Sequence, residues 1–204
     1  MHPAHVHISY HVSKLGVDIP SVNLPVGCTC RPDAPCFKKC YARRGRFCFQ
    51  HNKACLQNNL ELWCCEPDVF EHEVSLAALR SGFFRWHSSG DIPDAKYLDM
   101  MVRIARNLRS TRFLAFTKKY ELINAWMDAN GALPSNLTIV LSAWGKFLPD
   151  NPHNLPMAYI RFKKESTPIP AFVRECPSYC GNCVTSGMSC WDLKPGEAVV
   201  FNEH

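Results

Sequence analysis

Along the middle of the chain two hydrophobic rhythms take turns. Short, nearly continuous apolar runs occur at Ser21 to Val26 (SVNLPV), Phe83 to Ser89 (FFRWHSS), Arg112 to Thr117, Leu137 to Ala143 (LTIVLSA) and Met157 to Phe162. Their length and their β-branched and aromatic content are those of buried strands. Between them lie stretches whose apolar residues return every three or four positions, the period of a helix with one buried face. Asn52 to Cys65 carries Leu56, Leu60 and Trp63 at that spacing, and Pro67 restarts a helix through Arg80 with Val69, Phe70, Val74, Leu76, Ala77 and Leu79 on its apolar side. Asp91 to Asn107 and Tyr120 to Asn130 complete the set. The latter stops at Asn130-Gly131, where glycine accepts a left-handed cap, with Pro134 just beyond.

Strands alternating with helices predict parallel βαβ units with right-handed crossovers. The fold class expected is α/β, open or barrel-like, over residues 1–167. Both ends differ from this pattern. The first eleven residues hold His2, His5, His7 and His11 with no nearby Cys or carboxylate to complete a site, which predicts an exposed strand or arm. From Pro168 onward, Pro168 and Pro170 break regular structure, and Cys176, Cys180, Cys183 and Cys190 follow. Residues 168–204 are therefore expected to form a cysteine-rich, metal-binding appendage.

Composition narrows the setting. At 204 residues, 47% hydrophobic and 20% charged, the chain suits one packed domain. No apolar run approaches the roughly 20 residues that cross a bilayer, so no membrane partner is expected. The N-terminus lacks a cationic start followed by an apolar segment, which predicts a protein that stays in the cytoplasm. In that reducing compartment its twelve cysteines read as metal ligands before they read as bridges. The net charge of +5, with basic residues gathered in Arg31 to Arg46 and Arg103 to Lys119, permits an anionic partner. Neither patch has the aromatic interleaving of a single-strand binding platform.

The chemistry concentrates in Val26 to Gly45, VGCTCRPDAPCFKKCYARRG, with cysteines at 28, 30, 36 and 40. Thiolates this dense in one loop point to one metal or cluster. Three of them on a 4Fe-4S cluster leave one iron open, whereas a fourth closes the site. Five residues separate Cys30 from Cys36 and three separate Cys36 from Cys40, leaving Cys28 as the spare. In the tail, gaps of three, two and six residues, with Pro177 and Gly181 to bend the chain, let four thiolates wrap one zinc or one cluster. Cys48, Cys55, Cys64 and Cys65 belong to neither set and read as buried free thiols.

Several strings stand in order along the chain: Ser13-Lys14-Leu15-Gly16, Leu24-Pro25, Thr29-Cys30, Cys36-Phe-Lys-Lys-Cys40-Tyr41-Ala42, Arg85-Trp-His87-Ser-Ser89-Gly90-Asp91 and Phe116-Thr117-Lys118. Together they resemble the phage gene product eighty-eight family, a radical S-adenosylmethionine (SAM)-like group. The resemblance implies a partial (β/α) barrel of parallel strands whose first loop holds a 4Fe-4S cluster on Cys30, Cys36 and Cys40. The open iron would then chelate the amino and carboxylate groups of SAM. It also sets Tyr41 and Ser89-Gly90-Asp91 beside the cofactor, with Asp91 against the SAM amino group. The spacing of five and three replaces the three and two usual in radical SAM enzymes. Cys176, Cys180 and Cys183 have that usual spacing without a strand and helix behind it, which reads as an auxiliary cluster.

Other residues carry two readings each. His87 either points into the barrel mouth as a catalytic group or is a satisfied structural histidine. Thr117 and Lys118 end a strand, where Lys118 either reaches the SAM carboxylate or is a solvated lysine. Ser142 and Trp144 end the next, where the indole either stacks an adenine or fills core. The function expected is a radical SAM-type enzyme acting on a nucleotide or nucleic acid in a phage-infected host cell, served by an electron donor. The alternatives are a non-catalytic iron-sulfur protein on the same frame and a zinc-ribbon protein that binds nucleic acid.

Overall fold

The apolar runs become neighbouring strands of a single sheet. In a computed structural model, which describes residues 5–16, 19–164 and 168–203, the strands are β1 (Ile8–Ser9), β2 (Ser21–Val22), β3 (Phe83–Trp86), β4 (Arg112–Thr117), β5 (Leu137–Ser142), β6 (Met157–Arg161), β7 (Arg174–Glu175) and β8 (Ala198–Asn202). Among the described residues they form one eight-stranded sheet in the order β1-β2-β3-β4-β5-β6-β8-β7. Only β1 runs antiparallel to its neighbour. The helices are α1 (Gln50–Cys65), α2 (Pro67–Leu79), α3 (Ala95–Asn107), α4 (Tyr120–Asn130) and the short α5 (Cys180–Ser186). The fold is therefore mixed α/β, built on a mostly parallel sheet.

Alternation along the strands decides which face each side chain meets. Phe84, Trp86, Phe113, Ala115, Leu137, Ile139 and Leu141 form one core with Leu62 and Trp63 of α1, Phe70 and Val74 of α2, Leu98 and Met101 of α3, and Ile123 and Trp126 of α4. Helices α1 to α4 thus all lie on one face. The residues between them, Phe83, Leu114, Phe116, Val140, Val199 and Phe201, point to the other face. There they meet Leu15 and Ile19 from the N-terminal segment and Val184, Trp191 and Leu193 from the tail. We call this the inner face.

The cysteine-rich tail is accordingly not an appendage. It supplies β7 and β8, and β8 pairs with β6 over Met157 to Arg161. Trp191 is buried, with its Nε1 donating to the Phe84 carbonyl at 3.0 Å and its own carbonyl accepting from Thr138 Oγ1 at 2.8 Å. The Ser13-Lys14-Leu15-Gly16 string is the strip on which the tail docks. Leu15 is buried, the Lys14 carbonyl accepts from the Cys180 amide at 2.9 Å, and a Cβ on Gly16 would lie 3.1 Å from the Tyr179 hydroxyl.

Several boundaries move for local reasons. The run from Phe83 stops at Trp86 instead of Ser89 because His87 adopts φ 55, which ends the extended backbone. Helix α3 begins at Ala95 instead of Asp91, where Asp94 caps it by accepting from the Tyr97 amide at 2.9 Å. Strand β2 keeps only Ser21–Val22, since Asn23 turns its side chain to other work. His5, His7 and His11 are exposed and His5 Nδ1 meets Glu73 at 2.8 Å, while His2 lies outside the described residues. Among the described residues no helix is long and apolar enough to cross a membrane.

Replacing the buried indole tests the tail's integration. Trp191→Ala should cost about 3–5 kcal/mol in urea denaturation, the usual range for truncating a buried Trp. It should also expose the chain after Pro168 to limited proteolysis. An unchanged midpoint would mean that the tail is dispensable to the sheet.

Candidate functional site

The segment from Asn23 to Phe49 leaves β2, runs over the ends of β3 to β6 and returns to α1. It is built from three tight 3₁₀ turns, Pro35–Lys39, Tyr41–Arg43 and Gly45–Cys48. Its contacts trace the path across the strand ends. The Tyr41 hydroxyl donates to the Ser88 carbonyl after β3. Arg31 grips Glu121 after β4 at 2.8 Å and lies 5.2 Å from the Phe147 ring after β5, and Lys39 Nζ is 5.8 Å from Phe162 after β6. The cysteine loop therefore stands at the C-terminal edge of the parallel strands, where ligands of such sheets gather.

Its root is held by a polar seam. Asn23 Oδ1 accepts from the amides of Ser88 and Ser89 at 2.7 and 3.1 Å, and the Leu24 amide donates to the Ser89 carbonyl at 3.1 Å. Ser89 Oγ donates back to the Leu24 carbonyl at 2.7 Å. Gly90, at φ 79, passes so close that a Cβ there would stand 2.6 Å from the same carbonyl. Thr29 Oγ1 accepts from the Asp91 amide at 3.1 Å and donates to the Pro25 carbonyl at 2.9 Å. Asp91 then ties this seam to β4: its Oδ1 accepts from Thr117 Oγ1 at 2.6 Å and from the Ile92 amide at 2.8 Å, and its Oδ2 accepts from the Lys118 amide at 3.0 Å. Burial raises the Asp91 pKa above the usual carboxylate value, and these hydrogen bonds offset part of the rise.

All twelve cysteines are free, and Cys30, Cys36 and Cys40 are half-buried. Burial pushes the Cys30 thiol up, offset by a hydrogen bond from the Gly27 backbone, with the charges of Asp91, Cys40 and Cys36 adding to the rise. Cys36 is likewise raised by burial, offset by Lys118, with Cys40 and Asp91 adding. In the tail Cys180 and Cys183 are raised, and Cys190 is pushed up to about 12, in each case by burial first. Cys176, Cys180 and Cys183 act on Cys190, as does the positive charge of Arg85. The two groups are thus three and four thiols within electrostatic reach of one another. Among the described residues no three Cys, His, Asp or Glu side chains converge in coordinating geometry. The chemistry of the donor set, all sulfur, reduced and half-covered, fits a thiolate-bound group. Cys28 is exposed, its sulfur 3.6 Å from the Pro25 carbonyl. Cys48, Cys64 and Cys65 are exposed as well, correcting the expectation of buried thiols, and Cys55 is half-buried.

The remaining expected site residues divide. Lys118 and Ser142 come together on the inner face at the ends of β4 and β5, with Nζ 2.8 Å from Oγ. Lys118 Nζ also lies 5.6 Å from the Trp144 ring, and the Tyr120 hydroxyl donates to the Ser142 carbonyl at 2.5 Å. Ser89 and Thr117, by contrast, are buried in the polar seam and do not line an open pocket. Of its two readings His87 takes the structural one: it is 3% exposed, on the helix side, with Nε2 3.0 Å from the Tyr97 hydroxyl and its ring beside Trp86. Strand alternation would set Trp86 and His87 on opposite faces, and the left-handed backbone at His87 cancels it.

A family model described as Gene product 88 matches residues 4–183. The chain belongs to the Gene product 88 family. No curated protein and no solved structure matches the chain. Within this Gene product 88 protein the matched stretch contains the cysteine loop, the polar seam and tail residues Cys176, Cys180 and Cys183, while Cys190 and β8 lie beyond it.

Sequence reasoning passed over Asn23, Asn59 and Arg85. Asn59, buried on α1, donates to the Asn23 and His7 carbonyls at 2.9 and 3.0 Å and so joins helix, β2 and the N-terminal arm. The signal for both asparagines was a polar residue on an otherwise apolar face. For Arg85 it was a lone cation inside FFRW.

Burial, and secondarily the positive charge of Arg85, lowers the His87 pKa to about 3. Below the unfolded-state value near 6.5 the unfolded chain takes up a proton that the folded chain refuses, so stability falls as pH falls from about 6.5 toward 3. Between pH 7 and pH 5 the loss should be about 2 kcal/mol from this group. His87→Asn, which tolerates the left-handed backbone, should flatten that part of the slope in urea titrations. Parallel slopes in the two proteins would refute the buried neutral imidazole.

Proposed function

We propose that the protein is an iron-sulfur protein of the radical SAM type. One observation carries the reading: three half-buried thiols of one loop stand at the C-terminal edge of a parallel sheet, with Cys36 within electrostatic reach of Lys118. Sequential strand order from β1 to β6, with α1 to α4 on a single face, supports a partial (β/α) barrel as the frame. Cys30, Cys36 and Cys40 would hold a 4Fe-4S cluster with one open position, and Cys176, Cys180, Cys183 and Cys190 a second cluster or a zinc. Such a cluster supplies the electron that cleaves SAM and starts hydrogen abstraction from a substrate.

The protein's own groups bind and orient. Lys118, held by Ser142, offers its ammonium to a carboxylate at the open side of the loop. Asp91, with Thr117, the Ile92 amide and the Lys118 amide as partners, keeps the loop root and β4 in register. A groove of about 700 Å³ beside the loop is lined by Asp33, Pro35, Lys39, Trp144, Lys146 and Phe147. Aromatic rings between lysines suit a nucleotide or nucleic-acid substrate. Electrons would come from a separate donor protein.

A second reading, a non-catalytic iron-sulfur protein that binds or transfers electrons, draws on a specific observation. Three protein donors already engage the Asp91 carboxylate that would meet the SAM amino group. Anaerobic iron and sulfide analysis with electron paramagnetic resonance of the reduced protein separates the two. The enzyme reading expects a cluster signal that shifts on adding SAM, loss of that shift in Cys36→Ala, and its retention in Cys183→Ala. An unshifted signal would favour the second reading, and zinc without iron would overturn both.

A further inference from the structure

From Ala34 to Leu60 the chain contains no Asp or Glu, and it contains Lys38, Lys39, Arg43, Arg44, Arg46 and Lys53. This stretch is most of the cysteine loop followed by the first turns of α1, and all six cations are exposed. Asp33 and Glu121, which flank it, are both held by Arg31, at 2.6 and 2.8 Å. A surface of one sign draws polyanions to it. The fold adds a groove on each side of the charged loop. On one side is the groove of about 700 Å³, whose far wall is a two-residue hairpin turn. There Trp144 and Phe147 exchange both backbone hydrogen bonds, at 3.0 and 2.9 Å, with Gly145 at φ 58 and the exposed Lys146 at the tip. On the other side a cavity of about 420 Å³ lies between the loop and α1, lined among others by Pro25, Arg43, Phe47, Lys53, Leu56 and Gln57. Its walls are tied together: Cys48 Sγ donates to the Arg43 carbonyl at 2.9 Å, and Asn52 Nδ2 donates to the Arg46 carbonyl at 2.6 Å.

Lys39 lines the first groove and Arg43 the second. Four residues apart, their Cα atoms are separated by no more than about 14 Å, a distance that a few nucleotides of an extended strand can cover. The aromatic interleaving absent from the basic stretch as a sequence is supplied in space. Trp144 and Phe147 stand on one side of the cations, and Phe47 and Phe49, the latter 63% exposed, stand on the other. Rings of this kind stack on unpaired bases, which a duplex keeps stacked on one another. We propose that the two grooves form one track for single-stranded nucleic acid across the cysteine loop. Bases lie on the aromatic rings, and phosphates meet Arg43, Arg44, Arg46, Lys53 and Lys146. The track rests on the nucleic-acid substrate proposed above and narrows it from a free nucleotide to a strand, but it needs neither a cluster nor SAM.

Fluorescence anisotropy of a labelled oligothymidylate of about twelve nucleotides tests it, with the full chain as purified, under anaerobic conditions and without SAM, over a series of salt concentrations. Binding should weaken with salt, the slope of log K against log salt being about −3 for four or five phosphate contacts. Arg44→Gln combined with Arg46→Gln, both exposed, should make that slope shallower by about 1. Trp144→Leu should weaken binding about tenfold at every salt concentration and leave the slope unchanged. If Trp144→Leu fails to fold, Phe49→Ser decides, since its ring is exposed: several-fold weaker binding supports the track and unchanged affinity overturns it. Arg109→Gln, at the opposite end of the strands just ahead of β4, should change nothing. Absence of binding, or an unchanged slope in the double variant, would overturn the track. So would equal affinity for the duplex of the same sequence, for thymidine triphosphate, or for a polyglutamate of matched charge, the last marking a docking face for an acidic protein. Because the readout involves no iron, failure here leaves the cluster reading standing, and a protein that held only zinc would leave the track standing.

Discussion

A backbone contact with no room for a side chain, Gly90 against the carbonyl of Leu24, fixes where the cysteine loop stands. Around it the exits of β2 and β3 are sewn together by hydrogen bonds from Asn23, Ser89 and Thr29, and Asp91 extends the stitching to β4. Each such bond adds only about 1 kcal/mol net, but a stranded partner in this buried seam costs about 1–3 kcal/mol. The seam is therefore all or nothing. With it closed, the thiols of Cys30 and Cys36 come within electrostatic reach of Asp91 at the strand ends.

The two faces of the sheet solve burial differently. On the helix side four amphipathic helices supply large aromatic and aliphatic side chains, and Trp63, Phe70, Trp86 and Tyr97 meet edge to face or tilted at centroid distances of 4.9 to 5.9 Å. On the inner side the cover is Val12, Leu15 and Ile19 of the N-terminal segment and the cysteine tail. That cover brings thiols, whose charge depends on what they bind, over a face that includes an arginine. The tail's chemistry and its structural role are inseparable, since Trp191 anchors the stretch that carries Cys190.

Much of the basic character seen along the chain is spent locally. Arg31 is engaged by Asp33 and Glu121, Arg103 by Glu71 and Arg112 by Asp192. Arg43 lies over the Phe37 ring at 4.2 Å, and Lys118 is held by Ser142. These surface pairs contribute little to stability individually, yet they orient the loop and its flanks. Arg85, in a strand remote in sequence from both basic clusters, stacks on the Phe116 ring at 4.2 Å.

The α/β class, the four main helices and the strands from β3 to β6 were legible because their periodicity is complete within a dozen residues and needs no partner to be read. The match between Arg112–Thr117 as expected and as found is of this kind. Membership of the family was likewise carried by local strings. What periodicity could not convey was direction and company. His87 sits on the helix side because its backbone turns left-handed, a choice made by packing against Tyr97. The tail joins the sheet because β8 finds β6, about forty residues earlier, and Trp191 finds Phe84. Such contacts depend on which surfaces remain uncovered once the helices have taken one face. The sequence by itself determined the main helices, the strands from β3 to β6 and the thiol inventory; only the tertiary structure decided that the tail thiols pack on one face of the sheet while the loop thiols stand at its strand ends.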